Sequence, residues 1–187
     1  MDIQAKIIVR DAQLADAFGI ARVHAAAWKD AYRGIVPDEI LDQRSAETGV
    51  SRFVQHITAK TQSSTSFPFL VAVIETTVVG FCDARSPKES PPEFDCEIGA
   101  LYVDPAFQHR GIGRALVVEA ANRFRTSGYG AMIIWTFSEN HSRGFYEKLG
   151  GRLLLETKLL PLGGKDLPLV AYGWSELSCL QNFHANS

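Results

Sequence analysis

The sequence predicts one α/β domain built on a mixed central sheet of about seven strands, with helices on its faces. Two observations support this fold class. Short runs rich in apolar and β-branched residues alternate with segments of helical periodicity, in the order β, α, α, β, β, β, α, β, α, β, β. The length of 187 residues suits a single domain of this kind. We assign residues 1–175 to the domain and residues 176–187 to a C-terminal tail.

The first third of the chain is predicted to contribute one strand and then helices. A strand at Lys6–Arg10 leads to Asp11, which can cap a helix that runs through Lys29 with apolar residues at helical spacing. A second helical region covers residues 37–60, and Gly49 is expected to divide it into two short helices. A polar run, TQSSTS, then separates these helices from the sheet.

The central part of the chain is predicted to form three strands. Phe69–Ile74 and Val78–Arg85 flank the turn-like ETT, which indicates a β-hairpin. A loop with three prolines follows and must be irregular. The next strand, Cys96–Val103, ends at Asp104-Pro105 because proline has no N–H to donate to a ladder.

The last third of the chain is predicted to alternate helices and strands. The elements are a helix from Ile112 to about Thr126, a strand at Ala131–Phe137, a helix from just after Asn140 to Leu149, and strands at Leu153–Leu159 and Asp166–Trp174. The segment 131–137 is strongly apolar, which is typical of a strand buried on both faces. Gly150-Gly151 ends the short helix, since glycine suits the left-handed turn that closes a helix.

The composition excludes two classes of partner. The chain has 19 Lys and Arg against 21 Asp and Glu, a formal net charge of −2, so it lacks the basic excess of a nucleic-acid-binding protein. No segment approaches the roughly 20 continuous apolar residues of a membrane span, and the first residues do not form a signal peptide. We therefore predict a cytoplasmic protein with neither a nucleic acid nor a membrane as its partner.

The three cysteines, Cys82, Cys96 and Cys179, have neither a CxxC spacing nor a Cys/His pattern typical of metal sites. An odd and sparse set does not indicate a disulfide framework, so we interpret the thiols as packing residues in a reducing compartment. Whether Cys82 and Cys96 pair across neighbouring strands stays open. The scattered histidines add no ligand set, and no metal is expected.

The segment QHRGIG, residues 108–113, lies where a strand gives way to a helix. A helix N-terminus presents unpaired N–H groups and a positive dipole end, and Gly111 and Gly113 let an anion approach that backbone. Basic side chains lie nearby, at His109, Arg110 and Arg114. A tight turn alone would equally account for the glycines. The segment matches neither a Walker loop, which needs GK and a hydroxyl residue, nor a dinucleotide turn, which needs a third glycine.

Two segments together resemble the GNAT superfamily of N-acetyltransferases. EIGALYVDPAFQHRGIGRALV is similar to its central acetyl-coenzyme A motif, in which a strand runs into Q/R-x-x-G-x-G/A at the start of a helix. Gln108, Gly111 and Gly113 occupy those positions. ENHSRGFYEKLGG is similar to the second coenzyme-binding segment, an Asn followed by a tyrosine-bearing helix that ends in Gly. The two motifs in this order, separated by one apolar strand, are far more specific than either alone.

The resemblance implies acetyl-coenzyme A as the acetyl-donating cosubstrate. Backbone N–H groups of the glycine turn would hold its pyrophosphate, and the strand before the turn would hydrogen-bond its pantetheine arm as an added strand. The implied coenzyme-binding residues are Leu101, Val103, Gln108, His109, Arg110, Gly111, Ile112, Gly113, Arg114, Asn140 and Arg143. Asn140 could equally cap the helix that follows it.

Acetyl transfer from a thioester to an amine needs a base for the amine, a donor for the oxyanion and an acid for the thiolate. The resemblance implies that the strands Cys96–Val103 and Ala131–Phe137 separate to form a cleft for the acetyl group. Strand alternation places Glu97 with Leu101 and Val103, on the face expected to serve this cleft, so Glu97 is the predicted base. A solvated carboxylate at a strand end is the alternative. By resemblance, Tyr146 is the predicted acid and the amide near Leu101 the oxyanion donor. Tyr146 could instead be a packed aromatic residue between helix and sheet.

The acceptor is predicted only as a class, the amine of a small molecule or a peptide. Trp28 and Tyr32 lie four residues apart on one predicted helix face and could wall its site, although core packing would account for the same spacing. No cysteine lies beside a base, so direct attack in a ternary complex is favoured over an acyl-enzyme. A non-catalytic coenzyme A-binding sensor or interaction module and a protein or peptide N-terminal acetyltransferase are the alternative functions. A homodimer is compatible with the sequence.

Overall fold

The structure is a computed structural model that describes residues 6–63 and 67–184, with side chains described as far as Leu180. The strands are β1 (Ile7–Asp11), β2 (Phe69–Ile74), β3 (Thr77–Arg85), β4 (Cys96–Val103), β5 (Met132–Phe137), β6 (Arg152–Leu162) and β7 (Lys165–Trp174). They form one sheet in the order β1-β2-β3-β4-β5-β7-β6. Strands β4 and β5 run parallel, and the other neighbours run antiparallel. The predicted mixed sheet is confirmed.

Helices cover both faces of the sheet. They are α1 (Ala17–Tyr32), α2 (Asp38–Asp42), α3 (Ala46–Gln62), α4 (Ile112–Thr126) and α5 (Arg143–Lys148). Alternate residues of β2 show the two layers, because Val71 packs with α1 and α3 whereas Leu70 packs with α4. The central strands are therefore apolar on both faces, as the continuous apolar runs predict. In the described residues, no helix is long and apolar enough to cross a membrane.

The prediction that Asp11 caps the first helix is wrong. Asp11 is the last residue of β1 and pairs with Leu70 of β2. A 3-10 turn at Leu14–Asp16 follows, and α1 begins only at Ala17. Asp16 accepts hydrogen bonds from Arg10, at 2.7 and 2.9 Å, so a carboxylate five residues later anchors the start of the helix to β1.

Two helices do occupy the region predicted from residues 37–60, but Gly49 does not separate them. The break lies between Asp42 and Ala46, where the side chain of Ser45 caps α3. Gly49 lies inside α3, where an added Cβ would come within 3.3 Å of the Ala21 Cβ of α1. The absence of a side chain at Gly49 therefore lets α3 approach α1 closely.

A bulge in β4 changes which side chains share a face. Asp83 of β3 lies opposite Ala100, but the next residue, Ala84, lies opposite Ile98, so Gly99 is the extra residue. Before the bulge Ile98 faces α4, and after it Leu101 faces α4 as well. The alternation of the strand is thus reset at Gly99, as a bulge in the pleat requires.

The parallel pair β4 and β5 separates partway along its length. The two strands pair from Cys96 with Met132 to Ile98 with Ile134. Beyond that point, within these described strands, residues 99–103 of β4 and 135–137 of β5 are not paired with each other. These unpaired parts of β4 and β5 are the two sides of an opening in the middle of the sheet, which we call the central cleft.

The start of the predicted C-terminal tail packs against the core. Leu177 and Leu180, in the 3-10 segment Leu177–His184, are buried against the α4 layer, so the predicted tail begins inside the core. Residues 185–187 of that tail, and residues 64–66 of the TQSSTS run, lie outside the described residues. Cys82 and Cys96 are buried free thiols, and Cys179 is an exposed free thiol. In the described structure, Cys82 and Cys96 therefore pack in the core as free thiols and do not form a disulfide.

Candidate active site

The glycine turn joins β4 to α4 beside the mouth of the central cleft. The Asp104 carboxylate accepts a hydrogen bond from the Ala106 amide at 3.0 Å and starts the 3-10 turn at Pro105–Phe107. The helical ladder of α4 begins with the Ala115 amide, which donates to the Gly111 carbonyl at 2.9 Å. The amides of residues 111–114 precede this ladder, so they can donate to an anion at the helix terminus.

The two glycines of the turn serve different purposes. Gly111 has φ +77°, a left-handed conformation that disfavours other residues, and no atom lies within 4 Å of the place for a Cβ. An added Cβ at Gly113 would lie 3.2 Å from the Phe145 ring of α5 and 3.7 Å from the side chain of Val103. Gly111 therefore sets the direction of the turn, whereas Gly113 lets α4 pack tightly against α5.

The remaining side chains of the turn differ in exposure. His109, with φ +61°, and Arg110 are exposed, and Arg110 lies 5.3 Å from the Phe107 ring. Gln108 donates to the Asp30 carboxylate of α1 at 3.4 Å. Ile112 is 1% exposed, so its backbone amide alone is available to a ligand. Arg114 is half-buried in the first turn of α4.

The unpaired edge of β4 runs from this turn into the sheet. Leu101 and Val103 are half-buried, and their side chains pack against the α4 layer. Their backbone lies in the part of β4 that has no partner on β5. An unpaired strand edge is the surface to which an extended, amide-bearing ligand adds as a further strand.

Tyr146 lies on α5 with 7% of its surface exposed. Its ring contacts Tyr172 of β7, at 5.4 Å between centroids. Burial is the largest cause that raises the pKa of Tyr146, and the nearby phenol of Tyr102 adds to it, while a hydrogen bond with Thr136 lowers the pKa. The net direction is upward, so the phenol is protonated near neutral pH and can donate a proton.

Asn140 and Arg143 are both engaged in structural contacts. Asn140 is buried, donates to the Thr136 hydroxyl at 2.8 Å and accepts from the Ser142 amide at 2.9 Å. Arg143 donates to the Ser138 carbonyl at 2.7 Å and to the Tyr172 hydroxyl at 3.2 Å. Asn140 is not the N-cap of α5, because Ser142 occupies that position, so the capping alternative is wrong. The bond that Asn140 accepts from the Ser142 amide closes an Asx-type turn before α5, and Arg143 stabilises the same turn.

Glu97 does not share a face with Leu101 and Val103, and that part of the sequence prediction is wrong. The bulge at Gly99 puts Glu97 on the face of Tyr102, toward α1 and α3. Its carboxylate is 1% exposed, so the alternative of a solvated strand end is wrong as well. Oε1 accepts from Arg85, with the Nε bond at 2.9 Å, and Oε2 accepts from the Lys88 amide at 3.1 Å.

Aromatic side chains gather where α1 meets the central cleft. Trp28 and Tyr32 make an edge-to-face contact, with centroids 5.0 Å apart. Tyr32 contacts Phe137 of β5 at 4.8 Å, and its hydroxyl lies 3.4 Å from that of Tyr102 on β4. Burial raises the pKa of both phenols, so both are protonated near neutral pH. Trp28 and Tyr32, the residues predicted to line the acceptor site, thus lie on α1 beside the central cleft. Tyr32 contacts both of its strands, through Tyr102 and Phe137.

Sequence reasoning missed three residues at this end of the cleft. Tyr102 was hidden because the bulge reverses the face that simple alternation assigns to it. His24 is buried beside Tyr102 and Trp28, with centroid distances of 5.3 and 5.4 Å, and no motif marks it. Arg44 lies over the Trp28 ring at 3.7 Å, which only the packing of α3 against α1 brings about.

Known proteins resemble the chain over most of its length. An uncharacterised N-acetyltransferase of Bacillus subtilis, YuaI, is 28% identical over 175 residues, which cover 94% of this chain and 96% of the relative. Spermidine N(1)-acetyltransferase of Thermoplasma acidophilum is 24% identical over 145 residues, or 77% of this chain and 87% of the relative.

Solved structures show the same fold. The crystal structure of the PaiA N-acetyltransferase of Thermoplasma acidophilum, in complex with coenzyme A, has a TM-score of 0.67 to this chain at 20% identity. The superposition covers 90% of this chain and 99% of that one. A model of the acetyltransferase (GNAT) family matches residues 26–151, more than half of the sequence. Cleft, glycine turn and family match agree, and the chain belongs to the GNAT family of acetyltransferases.

Proposed function

We propose that this protein is an N-acetyltransferase that moves the acetyl group of acetyl-coenzyme A to a primary amine by direct attack in a ternary complex. The central cleft is the single observation that carries the proposal. It brings the glycine turn, the unpaired edge of β4, Tyr146 and the aromatic cluster of α1 to one opening in the sheet. Membership of the GNAT family supports the same activity.

The residues of the turn fit the cosubstrate. The open space at Gly111 and the amides of residues 111–114 suit a pyrophosphate, and the backbone of Leu101 and Val103 suits the amide-bearing arm. Acetyl-coenzyme A supplies a thioester, whose carbonyl carbon is open to attack by a neutral amine. Asn140 and Arg143 hold the α5 turn that positions Tyr146, and they are left out of the set that touches the cosubstrate.

Two proton transfers accompany the exchange, in which a C–N bond forms and the C–S bond breaks. Tyr146 would give its proton to the departing thiolate, since its phenol is protonated at neutral pH. The amide near Leu101 would donate to the developing oxyanion. Glu97 would take the amine proton through a water molecule, using the lone pair of Oε2 that Lys88 does not occupy.

The test is a panel of amines, polyamines, aminoglycosides, amino acids and peptides, offered with acetyl-coenzyme A while free thiol is followed. We expect at least one class to be acetylated, and Tyr146→Phe to lower kcat by about 100-fold while coenzyme A binds as before. Tyr129→Phe is the matched control, because Tyr129 packs in the same core layer beside Phe67 and Phe124, at the far end of α4.

Three results would contradict parts of the proposal. Coenzyme A binding without acetylation of any member of the panel would favour the sensor or interaction module. An unchanged kcat in Tyr146→Phe, under conditions where chemistry limits turnover, would remove Tyr146 as the acid. Preference for peptides with free N-termini over small amines would favour the alternative of a peptide N-terminal acetyltransferase.

A further inference from the structure

Two arginines lie beside the aromatic cluster at the acceptor end of the cleft. Arg44 directly precedes Ser45, the N-cap of α3, and Arg52 lies two turns into that helix. The Arg44 guanidinium lies over the Trp28 ring, with its central carbon 3.7 Å from the centroid. An Arg52 nitrogen lies 3.5 Å from Nε2 of His24. Both guanidinium groups thus reach the layer that contains Trp28 and His24.

These two arginines lack the acidic partners that others in the protein have. Five arginines make ion pairs with carboxylates, namely Arg10, Arg22, Arg33, Arg85 and Arg123. Within residues 6–63 and 67–184, no carboxylate oxygen lies within 4.0 Å of Arg44 or Arg52. A buried polar hydrogen is also left over there, because Arg44 Nε finds no acceptor among these residues.

The arrangement concentrates positive charge that nothing nearby balances. The pKa of Arg44 is lowered first by burial and then by the nearby charge of Arg52. The pKa of His24 is lowered to about 3, first by burial and then by the charges of Arg52 and Arg44. His24 is therefore neutral near pH 7. Arg44 also stands at the positive end of the α3 dipole, which disfavours a cation further.

Packing alone does not explain why these two guanidinium groups are held close together without acidic partners. Stacking on Trp28 accounts for the position of the Arg44 guanidinium but leaves its Nε hydrogen unpaired. An incoming oxyanion would pair that hydrogen and neutralise the mutual repulsion of the arginines. The phosphates of the cosubstrate are held on the other face, at the α4 terminus, so they do not need this pair.

We propose that Arg44 and Arg52 bind an oxyanion on the acceptor, so that the substrate is an amine that carries a carboxylate or phosphonate group. The proposal rests on the proposed acetyltransferase function and narrows its substrate class. The acceptor's anionic end lies toward α3, against Arg44 and Trp28, and its amine points toward Tyr102 and the central cleft. Amino acids and aminophosphonates fit this description, and polyamines do not.

Equilibrium binding tests the proposal independently of turnover. The probes are L-alanine, L-leucine, L-phenylalanine, L-glutamate and L-methionine, each beside its α-carboxamide, together with 2-aminoethylphosphonate and spermidine. Each is titrated calorimetrically into the full-length protein saturated with coenzyme A. We expect at least one acid to bind about 10-fold or more tightly than its carboxamide, as the loss of a charge-assisted hydrogen bond predicts.

Variants then assign the preference to the arginines. Arg44→Gln and Arg52→Gln should each weaken binding of the preferred acid by about 10-fold and leave its carboxamide unaffected. Arg123→Gln is the matched control, because Arg123 is paired with Glu119 on α4 and should change neither. Equal affinity of every acid and its carboxamide, tighter binding of spermidine, or equal losses for acid and carboxamide would each overturn the proposal. The binding measurements do not depend on acetylation. Failure of the proposed acetyltransferase activity can therefore be distinguished from failure of the proposed preference for an anionic acceptor.

Discussion

Glu97 has a structural role, and its position is compatible with the catalytic role that we propose for it. Its carboxylate holds Arg85 of β3 and the amide of Lys88, and so fixes the proline-containing loop over the sheet. The same carboxylate lies on the face of the sheet that α1 and the aromatic cluster cover. A buried carboxylate on that face is suited to receive a proton through water, because Arg85 and Lys88 hold it rigidly and it is shielded from bulk solvent.

Replacement of Glu97 separates these uses. Glu97→Gln keeps an acceptor for Arg85 but cannot take a proton, so we expect kcat to fall by about 100-fold and the acidic limb of the pH–rate profile to change shape. The control is Asp95→Asn, since the Asp95 carboxylate accepts from the amides of Gly130 and Ala131, at 2.8 and 3.1 Å, and serves structure. If the pH–rate profile of Glu97→Gln keeps the wild-type shape, Glu97 is not the base, and the amine loses its proton to water without help from this residue.

Single residues show where sequence reasoning succeeds and where it stops. Gly111 could be picked out because a left-handed turn before a helix restricts the choice of residue and so leaves a mark in the sequence. Arg44 could not, because its contact with Trp28 depends on how the connection between α2 and α3 packs against α1. The face of Glu97 was assigned wrongly because the bulge at Gly99 depends on the pairing of β3 with β4.

At the scale of elements, α4 combines two jobs. Its N-terminus carries the amides that precede the helical ladder, and its body supplies core residues such as Leu116 and Phe124. Two glycines in left-handed conformation frame the helix, Gly111 with φ +77° and Gly128 with φ +87°, and neither has an atom within 4 Å of its absent Cβ. The two positions therefore impose the same backbone strain on any other residue, at opposite ends of one helix.

This symmetry gives a controlled test of the pyrophosphate site. Gly111→Ala and Gly128→Ala should each lower the free energy of unfolding by roughly 1–2 kcal/mol, the cost of a left-handed alanine. We expect only Gly111→Ala to weaken coenzyme A binding, by about 10-fold, because only that turn presents amides to the phosphates. Urea unfolding and calorimetric titration measure the two quantities. Equal coenzyme A affinity in both variants would place the phosphates elsewhere.

The sequence predicts the bounds of an element closely where local residue patterns define them. It predicts them less well where pairing between strands determines them. The bounds of β2, β4 and α4 agree with the sequence, because apolar runs and flanking turn residues define them. Strand β6 extends to Leu162, beyond the predicted Leu159, since its pairing with β7 continues through Leu160 and Pro161, which the sequence assigned to the turn. The separation of β4 from β5 leaves no signal in either strand alone.

The whole molecule divides its work between the two faces of one sheet. The α4 face carries the glycine turn, the α1 and α3 face carries the aromatic cluster and the arginines, and the central cleft connects them. A homodimer stays a prediction. Leucines on the edge strand β6 are exposed, with Leu155 at 99%, but nothing in the structure identifies what covers them.

The stability of the whole fold should depend on pH through His24. The unfolded chain binds a proton at this residue below a pKa of 6.5, whereas the folded chain does so only below about 3. Between these values the unfolded state holds more protons, so stability is full above pH 6.5 and falls as the pH falls. From pH 7 to pH 5 the loss from this group amounts to about 2 kcal/mol, since each pH unit below 6.5 contributes about 1.4 kcal/mol.

His24→Phe isolates that contribution, because phenylalanine keeps a ring among Trp28, Phe53 and Tyr102 and cannot titrate. We expect wild type to lose about 2 kcal/mol more than the variant between pH 7 and pH 5, measured by urea unfolding. Asp16 and Asp83, whose pKa values are lowered in the folded state, also weaken the fold in acid, but they act in both proteins and cancel in the difference. Equal losses in the two proteins would mean that His24 takes up its proton without unfolding, through a rearrangement that exposes the acceptor end of the cleft.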